Sequence, residues 1–226
     1  MWTLAVESVC HQHSYKMDRL RRVQCKNLAA PIILDFQCFK DNNNEYILKE
    51  VCVLEVDSGT LLMHHIAKSP FKRDFLTQEK LRESYWLTKH CHGLEWDQGD
   101  IWYHALEEKL RSCIAKRPVI YVKGAEKKEF LRCNFITDHC TTNVIDINDI
   151  GCGSLSSINN LLSTNAVRCR HHKTAHTRCA LTNCITIRSW LYLSTNIEDD
   201  LNDASSCFCF ATTTTSTDTV GIDTVE

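Results

Sequence analysis

The chain has 226 residues, of which 43% are hydrophobic and 24% are charged, with a formal net charge of −2. This composition can supply the core of one globular domain. The near-neutral charge excludes a protein that attracts nucleic acid or a membrane through its overall field. No apolar run approaches the roughly 18 residues of a membrane span. We therefore expect no membrane association, and any contact with nucleic acid must depend on a local surface.

The fourteen cysteines indicate the compartment. Several lie inside apolar segments rather than around short loops, among them Cys38, Cys52, Cys113 and Cys184. This placement is typical of reduced thiols and differs from a secreted disulfide scaffold. The first six residues also lack the basic region of a signal peptide. The sequence therefore predicts an intracellular protein, in the cytoplasm or the nucleus.

The predicted elements begin after an N-terminal arm over residues 1–29, whose short basic run at 16–22 is typical of a solvated face. Turn residues at 41–44 and 57–59 separate the first three predicted strands, and helices and short strands then alternate. Strands are predicted at 32–39, 46–56, 60–66, 119–122 and 144–147, and helices at 77–89, 101–116, 124–133, 154–162 and 180–193.

This order of elements predicts a mixed α/β fold. Three sequential strands with short turns form an antiparallel meander, and the later short strands extend it as parallel strands with flanking helices. The order is that of the ribonuclease H-like fold, which we place at residues 30–195. The acidic and then Thr-rich segment 196–226 lacks core-forming residues, so it is predicted to be a disordered tail.

A candidate metal motif precedes the last predicted helix. Cys169, His172 and Cys179 have C-x2-H-x6-C spacing, and the two-residue gap allows one tight turn to direct two side chains at one ion. Thiolate and imidazole are preferred zinc ligands. A tetrahedral structural site requires a fourth ligand from elsewhere. The alternative is a histidine-rich surface loop with two ordinary thiols.

The segment from 31 to 193 resembles DEDD-type exonucleases with a His-containing third motif. It is more similar to their zinc-bearing relatives, the Maelstrom domains of germline small-RNA silencing, and to arthropod proteins linked to mobile elements. In Maelstrom domains, a Glu on an early strand joins a late Cys, His and Cys, and residues 49–59 are similar to that strand. The resemblance implies a structural zinc site formed by Glu50, Cys169, His172 and Cys179. Glu55 and His176 are the alternatives for the fourth ligand.

The resemblance also implies that the two-metal nuclease site is lost. Asp35-Phe36-Gln37 replaces the second acid of the first motif with an amide. Lys127 stands near the position of the second-motif acid, and Arg178 and Asn183 stand in the third motif. An amide is a weaker ligand than a carboxylate for a hard dication, and a lysine repels one.

Three functions follow as hypotheses. The first is a catalytically degenerate domain that binds single-stranded RNA or a protein partner of the silencing pathway. The second is an active metal-dependent nuclease that uses Asp35, Glu50 or Glu55, and Asp146. The third is a scaffold that inherits only the fold.

Other residues receive simpler interpretations. His64 and His65 are neighbours on a strand, so we expect two separate surface or core histidines. Asp146 is expected to cap or to face solvent. The aromatics of the helical segments are capable of stacking on bases but are expected in the core: Tyr85, Trp86, Trp96, Trp102 and Tyr103.

Overall fold

The computed structural model describes residues 29–136, 141–162, 169–172 and 178–208, apart from the side chains of 161–162 and 195–208. Most of the predicted N-terminal arm, the end of the predicted tail and His176 lie outside the described residues. The chain divides into two compact units, Met1–Ser189 and Trp190–Glu226.

Five strands form a single sheet in the order β3-β2-β1-β4-β5. They are β1 (Ile32–Lys40), β2 (Tyr46–Glu55), β3 (Leu61–Ile66), β4 (Val119–Val122) and β5 (Asn143–Asp146). Strands β1, β2 and β3 pair antiparallel, whereas β4 pairs parallel with β1 and β5 pairs parallel with β4. This order and these directions are those of a ribonuclease H-like fold, so the predicted fold class is confirmed.

The helices are α1 (Gln78–Leu87), α2 (Tyr103–Ile114), α3 (Ala125–Asn134), α4 (Leu155–Leu162) and α5 (Ala180–Phe208). The last helix continues past the predicted end near residue 193, because residues 194–208 contain no glycine or proline to stop it. The predicted start of the tail at 196 therefore falls within α5. The domain limits at 30 and 195 stay predictions.

The two faces of the sheet carry different chemistry. Side chains alternate along a strand, so Ile32, Leu34 and Phe36 share one face of β1 and belong to a hydrophobic core with Leu106 and Leu110 of α2. The opposite face of β1 carries Asp35. Two register pairs extend that second face onto β2, namely Asp35 with Cys52 and Gln37 with Glu50.

The first turns of α5 lie on this second face. The Cys184 thiol contacts the carbonyl oxygen of Cys52 at 3.6 Å and that of Ile33 at 4.0 Å. The start of α5 therefore covers the polar positions of β1 and β2. Asp35 on β1 and Glu50 on β2 both accept hydrogen bonds from this part of the helix.

A buried lysine fixes the loop between α1 and α2. The ammonium group of Lys49 donates hydrogen bonds to the carbonyl oxygens of Ala67 at 2.8 Å and Trp96 at 2.6 Å, and also to that of Gln98. Lys49 is fully buried. Burial lowers the pKa of Lys49 to about 7, while the charges of Asp97 and Glu95 act in the opposite direction. Through these hydrogen bonds, β2 anchors the loop with a side chain next to Glu50 in sequence.

Candidate metal centre

The carboxylate of Glu50 is the middle of the candidate metal centre. Glu50 is completely buried on β2, a strand paired on both sides. Its Oε2 atom accepts a hydrogen bond of 3.0 Å from the backbone N–H of Ala180, the first residue of α5. A negative charge is favourable at a helix N-terminus, so Glu50 also positions the start of this helix.

The other three predicted donors surround this carboxylate. The Cys179 and Cys169 sulfur atoms lie 3.5 and 3.8 Å from Glu50 Oε1, and His172 Nε2 lies 3.1 Å from Oε2. All three side chains are buried. The structure thus brings together Glu50, Cys169, His172 and Cys179, although 119 residues separate the first two. Their role as metal ligands stays a prediction.

His64 is a donor that the sequence interpretation missed. It lies on β3 with its Nε2 atom 2.9 Å from Glu50 Oε1. Ligand atoms of Glu50, His64, Cys169 and Cys179 all lie within 4.8 Å of one another. The two histidines are separate, as expected, since His65 pairs with Asp100, but His64 also lies among the possible metal donors. The β2–β3 register pairs His64 with Cys52, which is the signal that places it on the face of Glu50.

The close contacts among these side chains shift their pKa values. Burial acts to raise the pKa of Glu50, but hydrogen bonds from His172, His64 and the Ala180 N–H outweigh burial and lower that pKa to about 2. Burial acts to lower the pKa of His172, yet hydrogen bonds with Cys179 and Glu50 raise it to about 10. The hydrogen bond from Cys169 lowers the pKa of the Cys179 thiol. The same hydrogen bond raises the pKa of Cys169, so the centre stabilises one thiolate and the Glu50 carboxylate beside a second, protonated thiol.

The donor spacing fits a zinc ion. With bonds of about 2.0 Å to oxygen and about 2.3 Å to sulfur, tetrahedral zinc has oxygen–sulfur edges of about 3.5 Å. The distances from Glu50 Oε1 to the two sulfur atoms, 3.5 and 3.8 Å, are close to this edge. Among the alternative fourth ligands, Glu55 is paired with Arg117 at 3.3 Å. Glu50 is therefore the better placed of the two glutamates.

A second polar cluster surrounds Asp35. The ammonium group of Lys127 forms an ion pair with Asp35 Oδ1 and donates to the Phe36 carbonyl oxygen at 2.9 Å. The Asn183 side-chain amide donates to Asp35 Oδ2 at 2.8 Å. Burial raises the pKa of Asp35, although the Lys127 charge acts in the opposite direction. Protein donors thus engage both oxygen atoms of this carboxylate.

The remaining acids of the nuclease hypothesis have other partners. Asp146 Oδ1 accepts from the backbone N–H groups of Gly124 at 2.9 Å and Asn148 at 3.0 Å. Glu55, paired with Arg117, is likewise engaged away from Asp35. Arg178, aligned with the third-motif histidine, is exposed, and its backbone N–H donates to the Cys91 carbonyl oxygen at 2.8 Å.

Three of the aromatic residues are exposed. Trp96 is 2% exposed and belongs to the core, as expected, whereas the exposed fractions of Tyr85, Trp86 and Trp102 are 59%, 55% and 62%. The expectation of core positions is wrong for these three. The residues that α1 buries are Lys80 and Ser84, so Tyr85 and Trp86 lie on its outer side.

No family model matches the sequence, and no curated protein matches it. Similar solved structures include two of the exonuclease domain of Mopeia virus, one fully depleted of manganese and one partially complexed with manganese. Each is 15% identical and covers 74% of this chain and 78% of its own, with TM-scores of 0.46 and 0.45. Within the described residues, the helices are too short or too polar to cross a membrane.

Proposed function

We propose that this chain is a catalytically degenerate ribonuclease H-like domain that contains one structural zinc ion and binds single-stranded RNA without cleaving it. The ion pair between Lys127 and Asp35 carries this proposal. A two-metal nuclease holds two divalent cations about 4 Å apart with several carboxylates. Here the lysine supplies one positive charge to the buried carboxylate, and Asn183 occupies its second oxygen. Divalent ions would have to displace both.

Zinc is the metal that best suits the cluster around Glu50. Two thiols, an imidazole and a carboxylate are its usual donors, and the site is buried. Glu50 comes from the early meander, whereas Cys169, His172 and Cys179 come from the segment before and at the start of α5. Bound zinc would supply a crosslink between these parts of the domain.

The exposed aromatics support RNA binding. Tyr85 and Trp86 are adjacent on the outer side of α1, and the Lys68 ammonium lies 4.5 Å from the Trp102 ring centre. Stacking of a base on an aromatic side chain contributes about 1–3 kcal/mol and tolerates any sequence. The resemblance to Maelstrom domains suggests the setting, which is small-RNA silencing or a mobile element. A protein partner from that setting is the alternative ligand of these exposed aromatic side chains.

A nuclease assay tests the loss of catalysis. Purified chain is incubated with labelled single-stranded RNA or DNA and with Mg²⁺ or Mn²⁺, alongside the Asp35→Asn variant. We expect the same background for both proteins. Degradation that requires the divalent ion and disappears in Asp35→Asn would establish instead the active nuclease built on Asp35, Glu50 or Glu55, and Asp146.

Fluorescence anisotropy with labelled single-stranded RNA tests binding. Trp86→Ala should weaken the affinity by about 5- to 150-fold, which corresponds to the loss of about 1–3 kcal/mol of stacking. Ile150→Ala, which removes another exposed apolar side chain, should leave the affinity unchanged. Equal affinities of wild type and Trp86→Ala would show that RNA does not stack on Trp86, whereas no RNA binding would favour a protein partner.

A further inference from the structure

The proposed zinc set leaves one donor unused. Four-fold coordination is complete with Glu50, Cys169, His172 and Cys179. The His64 imidazole nevertheless lies against Glu50 Oε1, the oxygen atom that the two sulfur atoms also approach. We propose that His64 is a fifth ligand of the metal ion and is the ligand on the solvent side of the centre. This inference rests on the proposed zinc centre and adds a residue that determines its coordination number and its access.

The separations within the cluster place His64 among the metal donors. Two ligands with bonds of about 2.05 Å are about 2.9 Å apart at a right angle, an angle that five-fold coordination contains and tetrahedral coordination does not. His64 Nε2 lies 2.9 Å from Glu50 Oε1, the oxygen atom that is also 3.5 and 3.8 Å from the two sulfur atoms. Donor atoms of Glu50, His64, Cys169 and Cys179 all lie within 4.8 Å of one another. His64 thus approaches the same ligand oxygen as both thiols, which is the position of an additional ligand.

A surface pocket opens beside His64. It has a volume of about 450 Å³, and its lining includes His64, His65, Asp100, Cys169, Arg170 and His171. Two of these residues, His64 and Cys169, belong to the metal-donor cluster. The His64 side chain is 13% exposed, whereas those of His172 and Glu50 are 1% and 0% exposed. A small molecule in the pocket consequently meets the centre on its His64 side.

This opening has a chemical consequence. Structural zinc sites are closed, whereas sites that exchange a ligand keep one accessible position. Removal of the His64 imidazole would create such a position at the end of the pocket. A small neutral nitrogen donor such as imidazole is expected to enter and to replace the lost ligand. The same molecule has no comparable route to the position of His172.

X-ray absorption at the zinc edge of the zinc-loaded wild-type chain tests the ligand count. The expected result is two imidazoles and two sulfur atoms per zinc ion. Zinc with two sulfur atoms and a single imidazole would overturn the assignment of His64 while leaving the structural zinc site in place. A chain that binds no zinc would overturn both proposals. This measurement needs no variant, so it does not depend on whether a variant folds.

Metal titrations of His64→Ala and His65→Ala test the same point independently. Removal of a residue that only hydrogen-bonds to a metal ligand weakens metal binding by about 10- to 100-fold. We expect His64→Ala to weaken zinc binding by more than this, and the cobalt-loaded variant to show an altered visible spectrum. His65→Ala is the matched control because its ring pairs with Asp100 at 3.5 Å. It should leave affinity and spectrum unchanged.

Added imidazole provides the final comparison. It should restore the wild-type cobalt spectrum and tighten zinc binding in His64→Ala, but not in His172→Ala, whose site is closed. An unaltered cobalt spectrum in His64→Ala without imidazole would contradict the inference, as would a loss of affinity within the about 10- to 100-fold range.

Discussion

The charge of Asp35 is balanced by a lysine. Lys127 reaches it from α3, and its ammonium also lies 5.1 Å from the centre of the Phe36 ring. The Asp35 side chain is 2% exposed, so its charge depends on these partners. A buried charge that loses its partner is far more costly than an exposed one.

Lys127→Met should therefore destabilise the domain by about 3–5 kcal/mol in urea denaturation, because it leaves a buried carboxylate without its counter-charge. Lys128→Met is the matched control. Lys128 pairs with Asp149 at 3.0 Å, but the Asp149 side chain is 62% exposed, so the loss should stay below about 1 kcal/mol. The double variant Asp35→Asn with Lys127→Met should recover part of the stability. Equal stability of the two single lysine variants would show that the Asp35 ion pair contributes little.

His92 makes stability depend on pH. Its Nδ1 atom accepts from the Leu94 N–H at 3.1 Å, and its Nε2 atom is buried with no hydrogen-bond partner among the described residues. Burial lowers the pKa of His92 to about 4. An unfolded histidine has a pKa of about 6.5, so between these values the unfolded chain binds a proton that the folded chain does not. This contribution to stability is complete above pH 6.5 and is lost as the pH falls towards 4.

The effect of His92 can be isolated with His92→Asn, whose side-chain oxygen can accept from the same N–H. Between pH 7 and 4 the wild type should lose about 3 kcal/mol more stability than the variant, as measured by urea denaturation at each pH. Parallel pH profiles of the two proteins would contradict this assignment, since acid release of a metal ion affects both.

The strand β2 connects two separate parts of the domain. A register shift in its pairing with β1 leaves Lys49 unpaired with that strand, and Lys49 anchors the loop between α1 and α2 while Glu50 accepts from the start of α5. The anchored loop also runs against the end of β3, where the Lys68 N–H donates to the Ile101 carbonyl oxygen at 2.8 Å.

Gly99 tests how closely this loop packs. A Cβ atom at Gly99 would lie 2.3 Å from the Lys68 nitrogen and 2.4 Å from the Ala67 carbonyl carbon, both of which are backbone atoms. Gly99→Ala should therefore destabilise the domain by about 1–3 kcal/mol in thermal or urea denaturation. Gly153→Ala is the control, because nothing lies within 4 Å of the added carbon. A Gly99→Ala protein as stable as Gly153→Ala would show that the loop moves away without cost.

Across the whole chain, local sequence patterns predicted the strands well but did not predict contacts between distant segments. Alternating apolar residues and turn signals were sufficient for the strands, and the resemblance placed Lys127 and Asn183 near Asp35. His64 was missed because its role depends on the strand register, which brings it beside Glu50. Trp86 was misplaced because apolar spacing along a helix does not reveal that α1 buries Lys80 instead. Register and helix orientation are tertiary properties, and single-sequence patterns leave them open.

Zinc removal tests the connection between the distant segments. Glu50 and Cys179 are 129 residues apart, so one ion at this centre closes a large part of the chain into a loop. Structural zinc contributes about 10–16 kcal/mol of apparent binding energy, which equals or exceeds the stability of a typical domain. Purified protein should contain one zinc ion per chain by mass spectrometry. Removal by a chelator should unfold the domain as followed by circular dichroism, and added zinc should restore it.

Substitution of single cysteines separates this crosslink from general thiol chemistry. Cys169→Ser or Cys179→Ser should release the zinc ion and yield unfolded or aggregated protein, because each removes a buried thiolate donor. Cys133→Ser is the control: Cys133 is an exposed thiol on α3, and its loss should change neither zinc content nor stability. A Cys179→Ser protein that folds normally without zinc would show that the fold does not need a metal ion. The start of α5 would then be held by the hydrogen bonds that Glu50 accepts from His172, His64 and the Ala180 N–H.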